Sequence, residues 1–239
     1  MRRFVQALSA AELDLALPPP VRATLQRLPE RYNISKGQAA GVVFLDHGQW
    51  QVREMSWGLV PSWEKQPRTA YSTQTARLLH APDSRLYRRA WALRRCAVPL
   101  NGYYKWDRQG VPRQPYFIQS AGGELLFAAG LWSLWGGDSD TPFWSFSVLT
   151  HTNPAIPSPL VPDGPWFLPA ARIGEWLAAA PEDARDWLLR LRQPRLEAYA
   201  VSRRVANRRL DEYSLLEPLL AVEDFDAAHD PDDGEHDDD

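Results

Sequence analysis

Cysteine is nearly absent from this chain. A single Cys in 239 residues leaves no partner for an internal disulfide and fits a reducing cytoplasm. Long apolar runs are also missing. No stretch of about 18 consecutive apolar residues exists, so no transmembrane helix is expected. The start, Met1-Arg-Arg-Phe-Val5, lacks the apolar core of a secretory signal. Histidine is scarce, with five residues in no metal-ligand spacing: His47 falls in a turn, and His229 and His236 lie near the end. No metal and no cofactor is expected. Neither a strand–Gly-rich turn–helix unit nor a nucleophile elbow is present, which argues against a dinucleotide fold and a serine hydrolase.

What the chain has in excess is Trp, eleven residues, and Pro, twenty-one. Trp is often only partly buried, so some rings are expected to line a cleft. The net charge of −3 conceals an asymmetry. Residues 223–239 hold ten acids and no Lys or Arg, and without them 27 basic side chains face 20 acidic ones. Residues 1–222 thus carry +7, a basic body with an acidic tail. The tail is too polar to pack and is expected to be disordered. No repeat or linker divides residues 1–222, which read as one domain.

Periodicity gives a mixed order of elements. Residues 11–29 read as two short helices broken at Pro18-Pro-Pro20. Residues 41–45 and 50–55 read as a hairpin around Asp46-His-Gly48. Trp57–Val60 reads as a strand and 76–91 as a helical stretch. Cys96–Pro99, Gly102–Trp106, Pro115–Gln119, Leu125–Leu134 and Trp144–Thr150 read as strands. Residues 154–165 hold five prolines and read as an extended loop. Ala170–Ala179 and Glu182–Leu191 read as helices, and Ala198–Val205 as a last strand. The expected class is α+β, with a mostly antiparallel sheet curled toward a barrel and helices at its margins.

Several short words recur in a definite order: Arg3-Phe4, Arg31-Tyr-Asn-Ile34, Trp57-Gly-Leu-Val-Pro-Ser-Trp63, Thr75-Ala-Arg77, Arg95–Trp106, Ala129-Gly-Leu-Trp132, Val201–Asn207 and Glu217-Pro-Leu219. Together they resemble the SRAP family, the SOS response-associated peptidases that sense abasic sites in single-stranded DNA. The resemblance implies a chemistry that begins at a Cys exposed by removal of the initiator Met. Its amine and thiol close a thiazolidine ring on the sugar aldehyde. Here Arg2 stands where that Cys belongs, and so large a second residue should keep Met1 in place.

The other reactive positions are altered too. Thr75 stands where the family has Asn, with Leu79 and His80 in place of a following Glu and Thr. Lys105 replaces the Glu of Gly-Phe-Tyr-Glu-Trp. Counting back from Pro165 puts Val161 at the family's His and Asp163 at its Arg. Met1, Arg2, Thr75, Lys105 and Val161 are therefore the degenerate catalytic positions. The resemblance further implies a DNA surface, with Arg3, Phe4, Trp57, Trp63, Arg77, Arg85 and Tyr103 as candidate contacts, and Arg88 and Arg89 beside them. Cys96 lies in an apolar run and reads as inert. His151 reads as an exposed or capped residue.

Three readings stay open. One is a catalytically degenerate monomeric pseudoenzyme of the cytoplasm that binds single-stranded DNA. Another is an altered lyase using the Met1 amine or Lys105 to form a Schiff base. The third is an interaction module whose vestigial cleft holds a protein partner.

Overall fold

The computed structural model describes residues 1–9, 13, 16–109, 112–137 and 140–219. The expected acidic tail lies outside the described residues. In chain order the elements are β1 (Arg3–Gln6), α1 (Pro19–Leu25), β2 (Arg31–Ser35), β3 (Ala39–Asp46), β4 (Gln49–Trp57), β5 (Thr75–Arg77), α2 (Arg88–Leu93), β6 (Arg95–Leu100), β7 (Gly102–Trp106), β8 (Pro115–Ser120), β9 (Leu126–Trp135), β10 (Phe143–Thr152), β11 (Asp163–Pro165), α3 (Ile173–Ala178), α4 (Pro181–Leu189) and β12 (Leu196–Ala200). The class is α+β, as expected.

The strands form two sheets. The larger runs β11-β10-β4-β3-β6-β9, and β9 also pairs antiparallel with β10, from Phe143↔Trp135 to Val148↔Gly130. That pairing closes β10, β4, β3, β6 and β9 into a ring. β10 meets β4 and β5 in parallel, whereas β3–β4, β3–β6 and β6–β9 are antiparallel. The smaller sheet, β12-β8-β7-β1-β2, is antiparallel throughout.

The apolar runs are continuous because β3, β6, β9 and β10 are buried on both faces over most of their length. Val42 and Phe44 point into one apolar cluster with Cys96, Val98, Ala128 and Phe146. Val43, Ala97, Phe127, Ala129 and Leu131 point the other way, against the helices. A strand covered on both sides loses the alternation that marks a half-exposed one. Two glycines of the family-like words are required by contact. A Cβ at Gly102 would lie 2.4 Å from the Ile118 carbonyl oxygen, and one at Gly130 would lie 2.9 Å from that of Ser147. The buried side chain of Gln6 joins the sheets, donating to the carbonyls of Gly41 and Pro99 and accepting from the Gly41 amide.

Several sequence expectations shift. The second of the two short helices expected over 11–29 is α1, which Pro19 and Pro20 start because the first turn has no amide bonds to lose; the first falls largely outside the described residues. The strand expected at Trp57–Val60 ends at Trp57, where Gly58 turns the chain at φ 127°. The helical stretch at 76–91 is mostly turn. Ala76 pairs with Leu149 in a three-residue strand, and only Arg88–Leu93 is helical. The last strand sits earlier, at Leu196–Ala200, and Arg203–Ala206 forms a 3-10 turn. The hairpin holds, with His47 and Gly48 both at positive φ in its turn. No described helix is long and apolar enough to cross a membrane.

Candidate functional site

A cleft of about 830 Å³ opens where β1, β5, β7 and β11 come together. Its floor is built by strand registry. Arg3 pairs with Tyr104 across β1 and β7, and Tyr104, Lys105 and Trp106 all contribute to the lining. β5 adds Thr75, held beside β10 by the Val148↔Thr75 pairing. The indole N–H of buried Trp57 donates to the Gln74 carbonyl at 2.8 Å and fixes the chain entering β5.

The charge in this cleft is one-sided. Arg2, Arg3, Lys36, Lys105, Arg108, Arg113 and Arg208 line it, against the single carboxylate of Asp163. None of these cations forms an ion pair among the described residues. Three are held by neutral acceptors, and one of them is Lys105, on the Asp163 carbonyl. Arg3 donates to Asn33 Oδ1 at 3.2 Å and to the Ala206 carbonyl at 2.7 Å. Arg208 donates to Ser35 Oγ at 3.2 Å and to the Lys36 carbonyl at 3.0 Å. Burial, and then the neighbouring Arg208, lower the Arg3 pKa from its ordinary value. Such a site holds donors in fixed positions.

The Met1 amine opens into the same space. Its pKa falls from 8.0 to about 6, first because burial disfavours the ammonium and then because Lys105 repels it; Asp163 acts in the opposite sense. Lys105 is lowered too, chiefly by burial, and its Nζ donates to the Asp163 backbone carbonyl. Near neutral pH the first nitrogen of the chain is thus largely the free amine, a nucleophile set among fixed cations.

The remaining sequence candidates divide. Met1, Arg2, Arg3, Thr75 and Lys105 converge on the cleft. Arg77, two residues beyond Thr75, is exposed on the same side of β5 and flanks the cleft. Val161 stands apart, exposed and outside the cleft lining, to which its loop contributes Asp163. Phe4, Trp57 and Tyr103 do not present faces for stacking. All three are fully buried, Phe4 packing edge-on against Trp57 at 5.0 Å, so base contact would require opening the core. Trp63 is 45% exposed, with the Arg85 guanidinium 5.2 Å above its ring, and the two belong to a separate pocket. Cys96 is fully buried, which pushes its thiol pKa well up. His151 packs edge-on to Trp166 and lies outside the cleft.

The sequence reading missed Lys36, Arg108, Arg113 and Arg208 as cleft residues, along with Trp106 as its aromatic wall. Their only signal is position: Lys36 and Arg208 immediately follow the Arg31–Ser35 strand and the Val201–Asn207 word.

Comparison with known proteins gives the family. The family described as SOS response associated peptidase (SRAP) matches residues 2–208. The chain belongs to the SRAP family. The abasic site processing protein YoqW of Bacillus subtilis is 26% identical over 187 residues, covering 74% of this chain and 83% of that protein. The abasic site processing protein YMR114C of Saccharomyces cerevisiae is 34% identical over 125 residues, 52% of this chain and 33% of that protein. The SRAP chain therefore matches only a third of the yeast relative's length. Crystal structures from Bacteroides thetaiotaomicron and Bordetella bronchiseptica share the fold. Their TM-scores are 0.71 and 0.67 at 19% and 22% identity, covering 91% and 84% of this chain and all of theirs.

The named words of the SRAP chain now have structural meanings. Asn33, inside Arg31-Tyr-Asn-Ile34, donates to the carbonyls of Val205, Asn207 and Leu210 while accepting from Arg3. It clamps the Val201–Asn207 segment to the cleft wall, which places Ala206 and Arg208 in the site.

Proposed function

We propose that this SRAP chain binds abasic single-stranded DNA in the cleft and does not form the thiazolidine crosslink that the family resemblance implies. The carrying observation is the cleft's charge: seven cationic side chains against Asp163, with Met1 and Arg2 where the amine–thiol residue would stand. Cations held by neutral acceptors lose little when a phosphate arrives, and a mobile backbone can lay successive phosphates along them. Trp106 offers a partly exposed ring for a base or for the face of an emptied sugar. The names of the relatives YoqW and YMR114C support an abasic-site role.

Binding to single-stranded DNA across a salt series tests this reading. Lys36→Ala and Arg208→Ala should each weaken binding and lower the salt slope by roughly 0.7, one phosphate contact each. Undetectable binding at about 50 mM salt would remove the DNA reading and leave the cleft as a protein-docking site.

The lowered pKa of the Met1 amine favours a second, compatible reading. The amine lone pair adds to the C1′ aldehyde of a ring-opened abasic sugar. The carbinolamine then loses the aldehyde oxygen and two protons as water, leaving a reversible imine. With no adjacent thiol the sequence stops there. A denaturing gel should show no band without reductant and a shifted band after borohydride, which reduces the imine to a stable amine. A heat-stable band without reductant would sink the degenerate-enzyme reading.

A further inference from the structure

A second pocket, of about 350 Å³, lies outside the cleft. Arg85, Arg88, Arg89 and Arg94 surround it, Trp63 and Trp132 wall it, and no acidic side chain contributes to its lining. None of the four arginines forms an ion pair among the described residues. Arg94 lies over the Trp132 ring at 5.0 Å, much as Arg85 lies over Trp63. Stacking fixes a guanidinium plane and leaves its N–H edge free for an acceptor. Trp132 adds an independent observation. It is 6% exposed, and its indole N–H is buried with no hydrogen-bond partner. A buried donor left unpaired costs on the order of 1–3 kcal/mol. The pocket therefore carries a surplus of donors and an excess of positive charge, with the Ser62 and Ser133 hydroxyls but no carboxylate in its lining.

We propose that this pocket is a second phosphate-binding site of the chain, taking a phosphate of the strand that the cleft holds. Phosphate fits better than carboxylate. An internucleotide phosphate turns its two charged oxygens in tetrahedral directions, and a terminal phosphate turns three, so guanidinium groups on different sides of the pocket can each take one, whereas the two oxygens of a carboxylate lie in one plane. The volume admits one nucleotide unit and no folded segment. The chain also links the two sites. Pro61, Ser62 and Trp63 line the pocket, Ser72 and Gln74 line the cleft, and between them the Leu59 amide donates to the Thr73 carbonyl at 3.2 Å. The backbone roots of both sites thus touch. Burial and the like charge of Arg89 already lower the Arg94 pKa, a repulsion that an anion would relieve.

The location in the strand rests on the nucleic-acid reading of the cleft; the phosphate site itself does not. Arg88 and Arg89 are exposed, so Arg88→Ala/Arg89→Ala should fold normally, with an unchanged melting midpoint as control. Binding is measured with single strands of about 8 and about 24 nucleotides over a salt series, and separately with dTMP. The variant should lose roughly tenfold in affinity for the longer strand, with the salt slope falling by about 1.4, and should bind the shorter strand as the parent does. Arg88→Lys/Arg89→Lys should restore most of the slope. Saturable dTMP binding lost in the alanine variant, without a length effect, supports the phosphate site and makes a free nucleotide its source. That arm still decides the question if no DNA binds at all. Parent-like behaviour of the alanine variant toward both strands, with no dTMP binding by either protein, overturns the proposal.

Discussion

Lys105 Nζ donates to the backbone carbonyl of Asp163, and both residues act on the charge of the Met1 amine. The family resemblance puts Glu at the first position and Arg at the second, so the signs at the two positions are exchanged together. A carboxylate beside an amine stabilises the ammonium and raises its pKa; an ammonium beside it does the reverse. The exchange therefore does more than remove a general base. Burial first, and then Lys105, hold the amine toward the neutral form that adds to an aldehyde, against the opposing pull of Asp163, while the missing thiol removes the step that would make the adduct permanent.

The Lys105 position can be tested through the pH dependence of borohydride trapping. Imine formation needs the neutral amine, so trapping in the parent should rise through pH 6. Lys105→Glu removes a repulsion and adds an attraction, so the midpoint should move up by about 1–2 units. Mapping the labelled peptide should place the adduct at Met1. An unchanged midpoint would show that Lys105 does not act on the amine, and a label on Lys105 would make that side chain the nucleophile.

The same amine ties stability to pH. Its folded pKa, about 6, lies below its ordinary 8.0, so between these values the unfolded chain holds more protons than the folded one. Stability should therefore rise with pH across pH 6–8, be complete above 8 and be at its minimum below 6. Two pKa units set an upper limit of about 2–3 kcal/mol. Denaturant midpoints of the parent and of N-terminally acetylated protein, compared over this range, isolate the contribution. Equal pH dependence in the two proteins would remove it.

Asn33 should behave as a structural clamp. It is buried and joins β2 to three carbonyls of the 205–210 segment and to Arg3. Asn33→Ala would leave these carbonyls without their donor, at a cost of about 2–4 kcal/mol. It would also release Ala206 and Arg208 from the cleft wall, so DNA affinity should fall even at temperatures where the protein remains folded. A variant with parent stability and parent affinity would show that the clamp is dispensable.

The parts of the fold that were legible share one property: local pattern and tertiary role agree. The Gly102–Trp106 strand was readable because β-rich side chains follow a glycine that must be a glycine. The hairpin was readable because Asp46-His-Gly48 suits its turn. Residues 76–91 misled because Leu86 and Ala90 fall four apart, as on one helix face, while pairing to β10 claims Thr75–Arg77 and only Arg88–Leu93 is helical. The cleft was half legible. Reactive positions sit inside conspicuous words, whereas Lys36, Arg108, Arg113 and Arg208 come from separate loops and meet only in three dimensions. Phe4, Trp57 and Tyr103 misled for the opposite reason. An aromatic residue in a binding word can act from underneath, as Trp57 does by holding Gln74.

The acidic end supplies the last prediction. Residues 223–239 carry ten negative charges, while residues 1–222 carry +7. The cleft and the arginine pocket concentrate unpaired cations on that body. A tethered polyanion acts at a high effective concentration and competes with any phosphate chain for those cations. Truncation after Ala221 should therefore raise affinity for single-stranded DNA, by roughly 3–10-fold at about 50 mM salt. The gain should shrink as the screening length falls toward about 3 Å at 1 M salt. The melting temperature should change little, because residues 223–239 hold ten acids among seventeen residues, a composition with little apolar surface to bury. Charge, not length, is the operative quantity, so replacing the ten acids with Asn and Gln should give the same gain as truncation. Equal DNA affinity of full-length and truncated proteins across the salt series would show that the tail does not compete. A gain on truncation that the neutral tail does not reproduce would assign the effect to bulk, not charge.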